Sequence, residues 1–94
     1  MSLIGTWKQI QPFSREENIY LKFESDGTLL YQAELTEKTQ QINLTYEVVD
    51  NCIISNQPSK PREERTEFFF EGNDLLVLVY EGRQSKYLRQ SSIS

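Results

Sequence analysis

Apolar and polar side chains alternate along most of this chain. In the stretches 19–23, 29–35 and 42–48, apolar residues occupy every second position. A period of two is typical of β-strands with one buried face, and no stretch longer than two turns shows the 3.6-residue spacing of an amphipathic helix. We therefore predict an all-β protein with eight strands. These strands span about 5–11, 18–25, 28–35, 41–49, 52–57, 64–71, 74–80 and 84–90.

The aspartates mark breaks between the predicted strands. Asp26, Asp50 and Asp74 are spaced 24 residues apart, and each stands where the alternation stops. Aspartate favours turns because it tolerates left-handed backbone and bonds to nearby backbone groups. Each interval therefore contains two strands and one longer connection. This arrangement predicts a single domain, residues 1–94, folded as an eight-stranded antiparallel up-and-down barrel with tight hairpins at one end and longer loops at the other.

The composition argues against several classes of partner. The chain has 94 residues and a formal net charge of −4, whereas proteins that bind nucleic acids or anionic membranes normally present basic surfaces. No apolar run reaches the roughly 20 residues that a membrane span needs. No signal peptide is visible, and a single cysteine, Cys52, leaves no partner for an intramolecular disulfide. We expect a cytoplasmic protein that binds neither nucleic acid nor membranes.

Side chains that carry catalysis are scarce. The chain contains no histidine, so the commonest general base and a frequent metal ligand are missing. Cys52 leads into two isoleucines, which favours a small buried hydrophobe over a nucleophile. The pairs Glu16–Glu17 and Glu63–Glu64 lie in or beside predicted loops and are interpreted as solvated charges. We expect no enzyme activity, no cofactor and no metal.

Residues near both ends of the chain carry a family resemblance. Gly5-Thr6-Trp7 opens the first predicted strand and Arg89 closes the last, a combination that resembles the signature of the lipocalins and the wider calycin group. The resemblance implies a lipocalin-like barrel in which Trp7 closes the floor and Arg89 packs across its ring, so that Gly5, Trp7 and Arg89 are structural. In an eight-stranded meander, the start of the first strand and the end of the last lie together, where a cation–π contact becomes possible. The chain is much shorter than a typical lipocalin and looks more like the minimal lipocalin-like domains found in bacteria.

The first functional hypothesis is binding of a small apolar ligand inside the barrel. An eight-stranded barrel is either filled by side chains or holds one small ligand. Its mouth would lie at the end with the longer loops, and aromatic residues would line the cavity; the alternative is that these aromatics fill the core. The candidate ligand-binding residues are Gln9, Phe13, Tyr31, Leu35, Ile42, Tyr46, Ile54, Thr66 and Phe68.

The second hypothesis is a protein-interaction module, acting as a homodimer or with another partner, for example as a barrel-shaped protease inhibitor. The seventh predicted strand is apolar at six consecutive positions, 75–80, so half of these side chains must face outwards. With neighbours on the fifth and sixth strands, they would form an exposed patch larger than monomers usually leave uncovered. The candidate interface residues are Ile53, Phe69, Leu76, Leu78 and Tyr80, with Leu75, Val77 and Val79 as the alternative outer set of the seventh strand.

Overall fold

The computed structural model, which describes residues 2–13, 15–59 and 61–90, is a closed barrel of eight antiparallel strands. The strands are β1 (Gly5–Gln11), β2 (Glu17–Phe23), β3 (Thr28–Leu35), β4 (Thr39–Val49), β5 (Cys52–Asn56), β6 (Glu64–Glu71), β7 (Leu75–Tyr80) and β8 (Arg83–Gln90). Each strand pairs with the next, and β8 pairs with β1. The predicted all-β, up-and-down barrel is therefore confirmed. Among the described residues, no helix is long and apolar enough to cross a membrane.

Tight turns close one end of the barrel, and we call the opposite end, with the β1–β2, β3–β4 and β5–β6 loops, the upper end. The Asp26 carboxylate accepts a hydrogen bond from the Thr28 amide at 3.0 Å, and hydrogen bonding from Thr28 lowers the pKa of Asp26. Asp50 adopts a left-handed φ of 56° in the β4–β5 turn. The Asp74 carbonyl accepts a hydrogen bond from the Arg89 amide at 2.7 Å. All three aspartates lie in turns, as predicted.

Trp7 forms the floor of the barrel at this tight-hairpin end. Its side chain is fully buried, and its indole Nε1 donates a hydrogen bond to the Leu3 carbonyl at 2.9 Å. Arg89 Cζ lies 4.1 Å from the centroid of the Trp7 ring, and the guanidinium also donates to the carbonyl oxygens of Ile4 and Ser2 at 3.1 and 2.6 Å. The expected contact between Trp7 and Arg89 is confirmed, and Arg89 in addition ties the N-terminal segment to β8.

Gly5 makes room for this contact. Its φ of +131° is one that residues with a side chain rarely adopt, and a Cβ at this position would lie 3.1 Å from Nη1 of Arg89. Glycine is therefore required here both by the backbone conformation and by the close approach of the guanidinium. This explains the structural role that the resemblance to lipocalins implies for Gly5.

A layer of aromatic side chains packs above the floor. The Phe70 ring lies 6.0 Å from the Trp7 ring, and Phe23 meets Tyr46 edge-to-face with centroids 5.0 Å apart. Edge-to-face contacts place the positive rim of one ring against the negative face of the other. Leu76 is fully buried in the same cluster. The lower half of the barrel is therefore a packed core.

The two faces of β5 are the reverse of those predicted. The short β4–β5 turn pairs Val48 with Ile53 and Glu47 with Ile54. Ile53 points into the core and is only 3% exposed, so Ile54 faces outwards. The assignments of Ile53 to an outer patch and of Ile54 to a ligand cavity were both wrong, because three consecutive apolar residues, 52–54, do not reveal which face is buried.

The phase of β7 also differs from the predicted interface. Leu76, Leu78 and Tyr80 alternate on the inner face, where Leu76 is fully buried and Leu78 packs against the core. The proposal that these three side chains form an outer patch was therefore wrong, and the alternative set, Leu75, Val77 and Val79, faces outwards. An uninterrupted apolar strand contains no polar position that could indicate its outer face.

The outer surface of β6, β7 and β8 carries an apolar strip, which we define as Phe69, Leu75, Val77 and Leu88. Phe69 pairs with Val77, and Leu75 pairs with Leu88. Phe69 and Leu88 are 44% and 41% exposed, whereas Val77 is fully buried. Lys86, which pairs with Val77, reaches across β7 to the Glu71 carboxylate at 3.5 Å. The alkyl chain of Lys86 therefore contributes to covering Val77.

Candidate functional site

The strands β1 and β2 separate towards the upper end of the barrel. Their pairing ends at Lys8 and Tyr20, although β1 continues to Gln11 and β2 begins at Glu17. Along its other edge, β1 stays paired with β8 as far as Gln11 through a bulge-like shift in register. A bulge bends a strand and interrupts pairing, and bulges are frequent at barrel rims. As a result, β1 follows β8 and leaves a cleft between β1 and β2.

This β1–β2 cleft has a volume of about 300 Å³, at the lower end of the range for small-molecule sites. Residues of the outer face and residues of the inner face both line it. Phe13, in the loop at its edge, is 77% exposed. The lining residues are Lys8, Gln9, Ile10, Pro12, Phe13, Glu17, Asn18, Ile19, Leu88 and Gln90.

Polar side chains meet on the inner face beside the cleft. The Tyr87 hydroxyl donates a hydrogen bond to Gln9 Oε1 at 3.0 Å, and Gln9 Nε2 donates to the Pro12 carbonyl at 3.2 Å. Burial, with a smaller contribution from Tyr31, raises the pKa of Tyr87 to about 12. Both ends of the Gln9 amide are therefore engaged, which holds the Tyr87 hydroxyl in place as a neutral group at physiological pH.

Glu17 and Tyr31 complete this group on the neighbouring strands. Glu17 pairs with Leu35, and two positions further along Ile19 pairs with Ala33, so Glu17 and Tyr31 share the inner face with only the small Ala33 side chain between them on β3. Burial first, and the negative charge of Glu17 second, raise the pKa of Tyr31. In the described part of the chain, no lysine or arginine forms a salt bridge with Glu17. We call Gln9, Glu17, Tyr31 and Tyr87 the polar cluster.

The structure gathers some of the predicted ligand-binding residues at the upper end. Gln9 and Phe13 line the cleft, and Tyr31 belongs to the polar cluster. Leu35 is paired with Glu17 at the rim, and Ile42, paired with Tyr31, remains 37% exposed although it lies on the inner face. Solvent therefore reaches the inner wall from this end.

Other predicted ligand-binding residues lie elsewhere in the barrel. Thr66 pairs with the buried Ile53 on the inner face. The Tyr46 hydroxyl donates to the Glu24 carbonyl at 2.8 Å in the tight-hairpin half, and Phe68 packs edge-to-face on Phe70 with centroids 5.9 Å apart. The structure brings none of these side chains to the β1–β2 cleft.

Sequence reasoning missed Glu17 and Tyr87. Glu17 was interpreted as half of a solvated pair, yet it continues the period-two face of Ile19, Leu21 and Phe23 by one more step. Tyr87 stands two positions before Arg89, so the inward position assigned to Arg89 implied an inward Tyr87 as well. Extending the alternation to the strand ends would have identified both residues.

The site offers hydrogen-bonding groups rather than metal ligands. Within the described ranges, no group of three or more histidine, cysteine, aspartate or glutamate side chains is arranged to hold a metal ion. Cys52 is half-buried and pairs with Val49 and Glu67 on the outer face, not in the core as expected, because the phase of β5 is reversed. The cleft and its polar cluster can therefore recognise a ligand through shape and hydrogen bonds.

The comparisons with known proteins add no family to this geometry. The chain matches no protein-family model, and no curated protein is significantly similar to it.

Proposed function

We propose that this protein binds a small, largely apolar ligand in the β1–β2 cleft, in the manner of a minimal lipocalin-like barrel. The observation that carries the proposal is the cleft itself, in which apolar residues, among them Ile10, Phe13 and Ile19, lie beside the polar Gln9 and Glu17. Such a combination, an apolar wall with a few convergent polar groups, is what small-molecule sites have in common. The closed eight-stranded barrel with the Trp7–Arg89 floor is compatible with a calycin-type fold.

The expected binding mode places the apolar part of the ligand between Ile10, Ile19 and Phe13, and its polar part at Gln9 and Glu17, the members of the polar cluster that line the cleft. Entry through the side of the barrel fits this geometry, because the lower interior is filled by aromatic side chains. The ligand would cover part of the Phe13 ring, which is otherwise the most exposed of the large apolar side chains in the described chain. Burial of that surface favours association by the hydrophobic effect.

Fluorescence titration with the uncharged probe N-phenyl-1-naphthylamine tests the proposal. We expect saturable binding to the wild type and about five-fold weaker binding to Phe13→Ala, since covering half a phenylalanine is worth about 1 kcal/mol. Phe69→Ala is the matched control, because it removes an exposed ring of the same kind from the outer strip. Absence of saturable binding to the wild type, or equal weakening by both substitutions, would contradict the proposal.

A homodimer through the outer strip is the second candidate function. The supporting observation is that Phe69 and Leu88 are about two-fifths exposed side by side with Leu75. A two-fold axis would let each strip cover its counterpart. Sedimentation at micromolar concentration, with Phe69→Lys as the variant, tests this idea: a wild-type dimer that becomes monomeric supports it, and a monomeric wild type eliminates it.

A further inference from the structure

Two members of the polar cluster, Gln9 and Glu17, line the cleft. Gln9 accepts from Tyr87 through its oxygen and uses one of its two N–H groups to donate to the Pro12 carbonyl. The Tyr87 proton is committed to Gln9. An ionised carboxylate such as that of Glu17 can only accept hydrogen bonds. A ligand that supplies donors therefore matches Glu17.

The charge of the polar cluster comes from Glu17. Glu17 lies on the inner face and lines the cleft, and no described lysine or arginine forms a salt bridge with it. The cation in the cleft lining is Lys8, but its ammonium lies 6.0 Å from the centroid of the Tyr20 ring, on the outer face. A carboxylate in a partly desolvated site gains most from a partner of opposite charge.

Together with the apolar walls of the cleft, these features define a ligand class. We infer that the cleft binds an amphiphilic amine, whose ammonium group pairs with the Glu17 carboxylate while its hydrocarbon part lies against Ile10, Ile19 and Phe13. This inference rests on the proposed binding function and specifies its ligand.

Isothermal titration calorimetry with three molecules of equal chain length tests the inference: octylamine, 1-octanol and octanoate. At pH 7 the amine is protonated and the carboxylate is ionised, so only the head group and its charge differ. We expect the wild type to bind octylamine about ten-fold more tightly than octanol, as a charge-assisted contact in a partly buried site allows. Octanoate should bind more weakly than octanol because Glu17 repels it.

Two variants of equal charge separate a specific contact from general attraction of a cation to an acidic protein. Glu17→Gln should abolish the preference for octylamine over octanol. Glu34→Gln, on the outer face of β3 and paired with Asn18, removes the same charge outside the cleft and should leave the preference intact. Heteronuclear NMR of the amide groups of β1 and β2 would locate the bound amine.

The outcomes distinguish the ligand class from the function itself. Equal binding of amine and alcohol, or a preference for octylamine that survives Glu17→Gln, overturns the inference while leaving a binding site for apolar molecules. A preference for octanoate overturns it as well. If none of the three molecules binds at the cleft, the proposed function fails together with the inference.

Discussion

Arg89 is the side chain through which the barrel floor can be tested most directly. It stacks on Trp7 with Cζ 4.1 Å from the ring centroid and donates to the carbonyl oxygens of Ser2 and Ile4. A cation–π contact contributes about 0.5–2 kcal/mol, and each of two hydrogen bonds to exposed carbonyls about 0.5–1.5 kcal/mol. In Arg89→Ala, water can hydrogen-bond to these exposed carbonyls in place of the guanidinium, so each lost hydrogen bond costs an amount in the lower part of that range. We expect Arg89→Ala to lower the free energy of unfolding by about 2–3 kcal/mol.

Urea unfolding followed by fluorescence and by far-UV circular dichroism measures this loss. Trp7 is the single tryptophan of the chain, so its emission reports on the floor alone. In Arg89→Ala the native emission should shift to longer wavelength as water reaches the ring. Arg89→Lys should lose about half as much stability, because an ammonium cannot stack as a plane and bridge two carbonyls together. The melting temperature of Arg89→Ala should fall by roughly 10–20 °C, as expected for a domain of this size.

The matched control is Arg65→Ala, which removes an exposed arginine from the outer face of β6. Its effect should stay within about 0.5 kcal/mol, the usual range for surface substitutions. If Arg89→Ala proves as stable as Arg65→Ala and keeps the native emission of the wild type, the floor contact contributes nothing and the reasoning is refuted.

Three further predictions concern the same barrel. Gly5→Ala should lower the free energy of unfolding by about 1–3 kcal/mol, more than Gly72→Ala does. Both glycines have a positive φ, but only at Gly5 would a Cβ approach Arg89, at 3.1 Å. Equal losses for the two variants in urea unfolding would contradict this. Trp7→Ala should cost about 3–5 kcal/mol, measured by circular dichroism. The Tyr87 hydroxyl, with its pKa raised to about 12 by burial, stays protonated in the folded state after the unfolded chain has begun to ionise near pH 10. This raised pKa contributes roughly 2–3 kcal/mol to the free energy of unfolding; the contribution is complete below pH 10 and is lost between pH 10 and 12. In urea unfolding at successive pH values, Tyr87→Phe should therefore lose less stability over this range than the wild type, whereas Tyr20→Phe should lose as much as the wild type.

Strand number and closure were predictable because they depend on local signals. Alternation in β2, β3 and β4 needs only one buried face, and Asp26, Asp50 and Asp74 mark turns through their own backbone preferences. An even number of strands places the start of β1 and the end of β8 at the same end of the barrel, and the predicted closure makes the two strands neighbours, so that Trp7 and Arg89 meet. None of these conclusions requires knowledge of packing between distant residues.

The phase of β5 and β7 was not predictable from alternation. Residues 52–54 and 75–80 are apolar on both faces, and a shift of one residue exchanges the inner face for the outer one. The register across the β4–β5 turn places Ile53 on the inner face. Pairing with Phe70 and Tyr87 places Leu76 on the inner face. These are pairings between strands, so they become visible only once the barrel is closed.

The cleft was not predictable for a related reason. The segment Gln9-Ile10-Gln11 contains no glycine or proline that would mark a bulge. The bulge arises in a strand that has β2 on one side and β8 on the other. The strand β1 remains paired with β8 up to Gln11, whereas its pairing with β2 ends at Lys8. A sequence pattern describes one strand at a time and does not indicate with which of its two neighbouring strands that strand remains paired.

The separation of β1 from β2 has a consequence for how stability and binding are distributed. Opening the seam above Lys8 removes this part of the β1–β2 ladder, but β1 stays attached along β8, and its lower end is held by Trp7, Arg89 and the hydrogen bonds to the N-terminal segment. The floor can therefore stabilise the barrel without closing the cleft. Because Glu17 and Phe13 do not belong to the core cluster that contains Trp7, substitutions at Glu17 or Phe13 should change ligand binding with little effect on the free energy of unfolding, and Arg89→Lys should do the opposite.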